Sequence, residues 1–270
     1  RFRRADGTHG TIEAVNSEPH DANIRGAICA ERIALSRFQG EEAGRGAKLQ
    51  RVVCVTDAPG KIFPGPLCRE FLTSVCDADV EVVASGSGNP SAWEALPLRE
   101  LFPLPSPYRR RKQDEMVELA KSLSLKLAPP NDEGAAAAYA AASSAAQRSA
   151  RQSSVFPICF AAAVRFGDGS LSVARELKGI EYGCTVDAVS LLLPAIVSAK
   201  EERGIGPDCI MQVDSFGLAH APFAAARSLL VEHGFGSARL FAHGDGGEWA
   251  PSITALESLP HADFQNIDFS

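Results

Sequence analysis

Apolar positions along the chain fall into short, evenly spaced runs whose period switches between about 2 and about 3.6. Residues 11–15 (TIEAV) alternate and predict a strand. A helix follows over about 29–36, with Ile28, Ile33 and Leu35 supplying its apolar faces. Residues 50–56 (QRVVCVT) are β-branched and read as a buried strand. Pro64-Gly65-Pro66 turns into a helix over about 67–75; residues 79–84 (DVEVVA) form a further strand, and 97–102 a short closing helix. The order returns later: a strand over 158–166 ending at Gly167-Asp168-Gly169, a helix after Cys184 that runs through Ile196, a strand over 209–213, a helix over 223–233 and a strand over 238–242. Strands and helices alternating at these lengths predict an α/β fold built around a sheet.

Between the two stretches lies the basic run 108–112 (YRRRK), then a polar helix over about 114–127 that Pro129-Pro130 breaks. Asn131 and Asp132 are N-cap candidates for an alanine-rich helix reaching about Arg148. Its small side chains would let it approach a sheet closely. Arg69 and Arg227 both sit near the start of their helices, 158 positions apart. The same offset sets Asp187 against Cys29, Val189 against Glu31 and Pro222 against Pro64, which predicts an internal duplication. The expected organisation is a first domain over 1–107, a solvated linker over 108–130 and a second domain over 131–270.

Composition narrows the function classes. With 45% hydrophobic residues in 270, there is material for one large domain or two modest ones. A net charge of −6 argues against nucleic-acid partners, whose phosphates need a basic face. No apolar run approaches the roughly 18 residues of a membrane span. Seven cysteines, odd in number and mostly inside apolar segments, suggest reduced thiols or metal ligands in an intracellular compartment. An arginine-rich start without methionine fits an imported, mitochondrial protein as well as a cytoplasmic one.

The candidate chemistry gathers in the first half. Cys29-Ala30-Glu31 opens one helix, and Cys68-Arg69 follows 39 positions after Cys29, near the start of another. A cysteine at a helix N-terminus is suited to metal binding, because backbone N–H groups and the helix dipole stabilise its thiolate. Asn16-Ser17-Glu18 lies 13 residues before Cys29, and Pro64-Gly65-Pro66-Leu67-Cys68-Arg69 completes the set. Together these motifs resemble those of the cytidine deaminase family: Asn-x-Glu, then His/Cys-Ala-Glu, then Pro-Cys-x-x-Cys-Arg. The likeness is strongest to two-domain members with a catalytic and a degenerate half. The Asp6-Gly7 turn, the segment Leu98-Arg99-Glu100-Leu101-Phe102-Pro103, and Glu181-Tyr182-Gly183-Cys184-Thr185-Val186 in the second half extend the resemblance over nearly the whole chain. The family's opening helix and most of its first strand have no counterpart in the first half.

The resemblance implies a three-layer α/β/α sandwich, duplicated in tandem, and a zinc site. In that class three protein ligands hold zinc while a non-ligand glutamate moves protons as the metal-bound hydroxide attacks C4 of cytosine. It implies Cys29 and Cys68 as ligands, Glu31 as general acid/base, and Asn16 and Glu18 as hydrogen-bond partners of a nucleoside ribose. One position departs: Gly65 stands where the family has the first cysteine of its Cys-x-x-Cys pair, and glycine offers no ligand atom. Zinc expects three protein ligands plus water; Cys54, Cys76, His20 and Asp21 are the residues that could substitute. The second half has no ligand set, since Asp187, Val189, Phe223 and Ala226 stand at the corresponding positions. His220, His233 and His243 match no metal spacing and read as structural or surface histidines. Cys29 and Cys68 also have a bland reading, as small buried hydrophobes at helix starts, and Glu31 one as a favourable first-turn charge.

Three readings follow. The chain is a deaminase-like protein without turnover, kept as a structural or scaffolding subunit in a homodimer or larger complex. Or it is an active zinc-dependent cytidine or deoxycytidine deaminase with an unusual third ligand. Or it binds a nucleoside without hydrolysing it.

Overall fold

The computed structural model describes residues 1–17, 27–89, 91–153, 155–179 and 185–262. Glu18, His20, Asp21 and Cys184 lie outside the described residues. The chain is mixed α/β, and its described residues divide into two compact units, 1–103 with 260–262, and 104–259.

The first unit opens with β1 (Phe2–Arg3) and β2 (His9–Gly10), paired antiparallel around the Asp6-Gly7 turn. Gly7 holds φ +88°, and the Asp6 carboxylate accepts from the Thr8 N–H at 2.9 Å and its hydroxyl at 2.7 Å. Gly10 is needed for another reason: a Cβ there would lie 2.2 Å from the Phe2 ring, which covers it. Helix α1 (Ala30–Glu41) buries Leu35 and Phe38 on one face, and β3 (Lys48–Leu49) pairs with β1. Strand β4 (Arg51–Val55) leads through helix α2 (Pro66–Val75) to β5 (Glu81–Ser85), parallel to β4 in register Arg51↔Glu81. A parallel pair needs such a crossover. Pro66 opens α2 where its missing N–H costs nothing. The turn from β6 (Glu94–Pro97) into α3 (Leu98–Leu101) closes the unit, β6 lying antiparallel to β5. Leu35, Phe63, Leu72, Val82, Ala84, Leu98 and Leu101 share one core.

Three expectations differ here. The strand over 50–56, expected to be buried, forms β4 at the edge of its sheet, with Val53 55% and Val55 76% exposed. The strand predicted over 11–15 is in no ladder: β2 stops at Gly10, Ile12 packs beside Phe2 and Phe38, and Val15 is 79% exposed. The strands also form two three-stranded sheets, β2-β1-β3 and β4-β5-β6, where one sheet was expected. The break falls at Gln50, whose N–H, like that of Arg51, donates to the Arg1 carbonyl (3.0 and 3.2 Å).

The second unit begins with helix α4 (Gln113–Ser124) and the alanine-rich α5 (Glu133–Gln152). Asp132 caps α5 as its sequence predicts, accepting from Ala135 N–H at 2.8 Å. Strands β7 (Phe160–Phe166) and β8 (Leu171–Arg175) form a hairpin; helix α6 (Leu193–Arg203), β9 (Pro207–Asp214), β10 (Ala219–His220), α7 (Ala224–Glu232), β11 (Arg239–Phe241) and β12 (Ile253–Thr254) follow. The sheet order is β12-β11-β9-β7-β8, with β10 beside β9. Ala135, Ala138 and Ala142 of α5 pack on Ala163, Cys209, Met211 and Val213, so methyl-sized side chains bring the helix close to the sheet as expected. Ile210 and Val164, on the opposite face, are equally buried, as a sheet covered on both sides requires.

Residues 108–130, expected as a solvated linker, pack in this unit. Tyr108 is buried with Ala120, Leu123, Ile158 and Leu218, and its hydroxyl donates to the Asp214 carboxylate. Arg109 forms a two-pronged pair with Asp245 at 2.9 and 2.8 Å. The YRRRK run therefore spends its aromatic and first arginine on tertiary contacts, which composition does not reveal.

His220 and His243 are structural, as the sequence suggests. Nε2 of His220 lies 3.1 Å from Asp214, and Nδ1 of His243 accepts from the Ala219 N–H at 2.8 Å. Burial, with His220 nearby, pulls the His243 pKa down from 6.5 to about 4. The unfolded chain therefore takes up a proton that the folded chain refuses. Stability is at its full value above about pH 6.5 and falls as pH drops towards 4, by about 3 kcal/mol in all. Urea unfolding midpoints at pH 7 and pH 4 measure this; a His243→Gln variant should flatten the dependence.

Candidate functional site

Two helix N-termini build the site. Cys29 is the N-cap residue of α1, with extended φ −64° and ψ 147°, so its sulfur sits at the head of the helix and Glu31 lies in the first turn. Gly65 is the N-cap residue of α2, with φ −62° and ψ 162°. Extended backbone is what a residue before proline must adopt. Cys68 follows one turn later and is 1% exposed. Packing of α1 against α2 brings Cys29, Glu31 and Cys68 together, their donor atoms all within 4.8 Å of one another. Among the described residues this is the group of side chains placed to hold a metal ion.

Cys29 and Glu31 of the group border a cavity of about 1100 Å³. Asn16, Cys54 and Gly65 also line it, so Asn16 and Glu31, two of the residues marked by the resemblance, face the same cavity. A Cβ built on Gly65 meets nothing within 4 Å. The position of the expected third thiolate is thus open space, not a place filled by another side chain. Of the substitute ligands, Cys54 lines the cavity without joining the cluster, and Cys76 caps the far end of α2, buried in the core with Val80 and Val82.

Electrostatics within the cluster favour a cation. Burial pushes the Cys68 thiol up, and the Glu31 carboxylate and Cys29 push it further. Burial and then Glu31 push Cys54 up to about 12. Anions crowded this closely ionise together only when a positive charge joins them. Arg32 supplies one such charge. Its guanidinium reaches the Cys29 sulfur at 3.8 Å and the Ala27 carbonyl at 3.2 Å. Burial lowers the Arg32 pKa, but the Cys29 and Cys68 sulfurs raise it above the usual range. Arg32 belongs to no motif of the sequence. Its i, i+3 spacing from Cys29 on α1 was the available signal.

Zinc fits this donor set, since thiolate sulfur and carboxylate oxygen are both ordinary zinc ligands. The set differs from the expected one in a single respect. With no ligand atom at Gly65, the Glu31 carboxylate is the third donor within reach among the described residues.

The N-terminus of α7 in the second unit repeats that of α2 in its backbone. Its N-cap, Phe223, has φ −62° and ψ 158°. Arg69 and Arg227, four residues past their caps, are each 1% exposed, and each donates Nε–H to the carbonyl of the proline before the turn, Pro64 and Pro222, at 2.6 Å. The positions set against the first half's three ligand positions and its glutamate are spent on other contacts. Asp187 accepts from the Ser190 N–H at 2.9 Å and from its hydroxyl at 2.5 Å, Val189 and Ala226 are buried, and Phe223 stacks edge-on against Phe160.

No family model and no curated protein matches the chain. Among solved structures it is similar to cytidine deaminase from Mycobacterium tuberculosis, at 19% identity and a TM-score of 0.35 over 45% of this chain and 94% of that one. It is similar to the Mycobacterium leprae cytidine deaminase at 22% identity and a TM-score of 0.34, over 45% and 97%. The Burkholderia pseudomallei cytidine deaminase is similar at 19% identity and a TM-score of 0.31, over 56% and 98%. Among the described residues no helix is long and apolar enough to cross a membrane.

Proposed function

We propose that the chain is a cytidine deaminase-like protein, duplicated in tandem, that has lost turnover and serves as a structural subunit of a homodimer or larger assembly in the mitochondrion or cytoplasm. The observation that carries this reading is Gly65: an N-cap position with room for a ligand and no ligand atom, beside Cys29, Glu31 and Cys68. The repeated proline–arginine lock at Arg69 and Arg227 supports the duplication. Hydrolysis needs three zinc ligands and a separate proton carrier. This chain has three donors for the two tasks together.

Metal content by elemental mass spectrometry, with cytidine and deoxycytidine turnover measured on the same zinc-loaded protein, tests the reading. The expected result is turnover no higher than in a Glu31→Ala control. Turnover that disappears in that control would establish the active-deaminase alternative. A second reading, nucleoside binding without hydrolysis, is favoured by the cavity of about 1100 Å³ that Asn16 and Glu31 line. Calorimetric titration with cytidine separates it from a purely structural role.

A further inference from the structure

We infer that Glu31 is a metal ligand in this chain, completing a Cys29–Glu31–Cys68 centre that holds a zinc-type cation without a free proton carrier. This deepens, and rests on, the inactive deaminase-like reading of the same site. Its first support is geometric. The two sulfurs and a Glu31 oxygen lie within 4.8 Å of one another; tetrahedral bonds of about 2.0–2.3 Å hold donors roughly 3.3–3.8 Å apart, so side-chain rotation of about an ångström closes the set on an ion. The second is the open space at Gly65: with no side chain there, nothing competes with the carboxylate for the third protein position. The third is charge. Two thiolates and a carboxylate exceed a divalent cation by one negative charge, and the Arg32 guanidinium, 3.8 Å from the Cys29 sulfur, supplies the compensating positive one. The fourth is the helix frame. Cys29 caps α1 and Glu31 sits two residues on, so one rigid first turn presents both donors while Cys68 arrives from the first turn of α2.

In this arrangement the cation joins α1 to α2 and contributes to stability by binding the folded state alone. The consequence for chemistry follows directly. A carboxylate with one oxygen on a cation is a weaker base and is held away from the substrate's protons, so Glu31 would be a poor proton carrier.

The test uses the full chain and zinc or cobalt(II) alone as the probe, titrated in competition with a chelator of known affinity. Wild type should bind one ion per chain. Glu31→Gln should weaken binding by more than about 100-fold, since even loss of an outer-shell partner costs 10–100-fold. The doubly substituted Gly65→Cys/Glu31→Gln chain should recover the affinity, because a third thiolate replaces the lost carboxylate. Metal-free melting curves establish that each variant is folded. X-ray absorption on zinc-loaded wild type should count two sulfurs with oxygen completing the shell, a readout that needs no variant. Unchanged affinity in Glu31→Gln, three sulfurs on wild type, or no ion bound at all would each overturn the inference. None of these results would by itself restore turnover, so the inactive reading is judged separately by the cytidine assay.

Discussion

A Gly65→Cys variant should bind zinc more tightly than the parent chain by on the order of 100-fold, through a third thiolate in place of a carboxylate. Three observations license so large an effect from one exposed side chain. The new Cβ meets no atom within 4 Å, so the substitution creates no clash. The backbone at φ −62° and ψ 162° is ordinary extended geometry that any L-residue adopts. The second unit holds a phenylalanine, Phe223, in nearly the same conformation at the same point of its helix. The new thiol would also cap α2, where backbone N–H groups stabilise a thiolate. With three sulfurs on the metal, Glu31 is released to act as a base, and cytidine turnover should become detectable. Chelator competition and a turnover assay check the two parts, with Gly65→Cys/Glu31→Ala as the control. Affinity equal to wild type would mean that the heads of α1 and α2 do not converge closely enough to share an ion.

Arg69→Ala should destabilise the first unit by about 3–5 kcal/mol, and Arg227→Ala the second by a similar amount. Arg69 is buried with its guanidinium spread over the carbonyls of Pro64 (2.6 Å), Leu101 (3.0 Å), His261 (2.9 Å) and Pro260. Burial pulls its pKa down to about 10. Truncation leaves the buried Pro64 and Leu101 carbonyls without this donor, and each costs about 1–3 kcal/mol. Arg227 reaches Pro222 (2.6 Å), Ser258 (3.3 Å) and Leu104 (2.8 Å) in the same manner. Lysine should not rescue either position, because one ammonium cannot span carbonyls that a planar fork reaches. Denaturant unfolding of the four single variants measures these losses. A loss below about 1 kcal/mol would mean the carbonyls find water instead.

Much of the fold was legible because its signals are local. The alanine-rich helix, its Asp132 cap, the Pro66 start of α2 and the apolar strands at 51–55, 81–85 and 160–166 depend on neighbours a few residues apart. The strand expected over 11–15 failed for the converse reason. Alternation states that a segment can pair, and a ladder requires a partner in register, which β1 and β3 do not offer beyond Gly10. Hairpin strand β8 and strand β6 carry little signal of their own, because their apolar positions are few and mixed with polar residues.

For the site, the sequence by itself determined which residues could do chemistry: Cys29, Glu31 and Cys68 at helix starts, and the glycine that breaks the expected ligand set at 65. It also set Arg69 and Arg227 near the starts of their helices, 158 residues apart. Tertiary structure alone decided that the three donors converge within 4.8 Å, that the space at Gly65 is open, that Arg32 reaches the Cys29 sulfur, and that the Arg69 lock closes on carbonyls from residues 260 and 261. The division has a physical cause. Residue type and helix position are set by bonds and contacts within a few residues, whereas convergence of groups 39 or 192 positions apart depends on how helices pack, which no local pattern encodes.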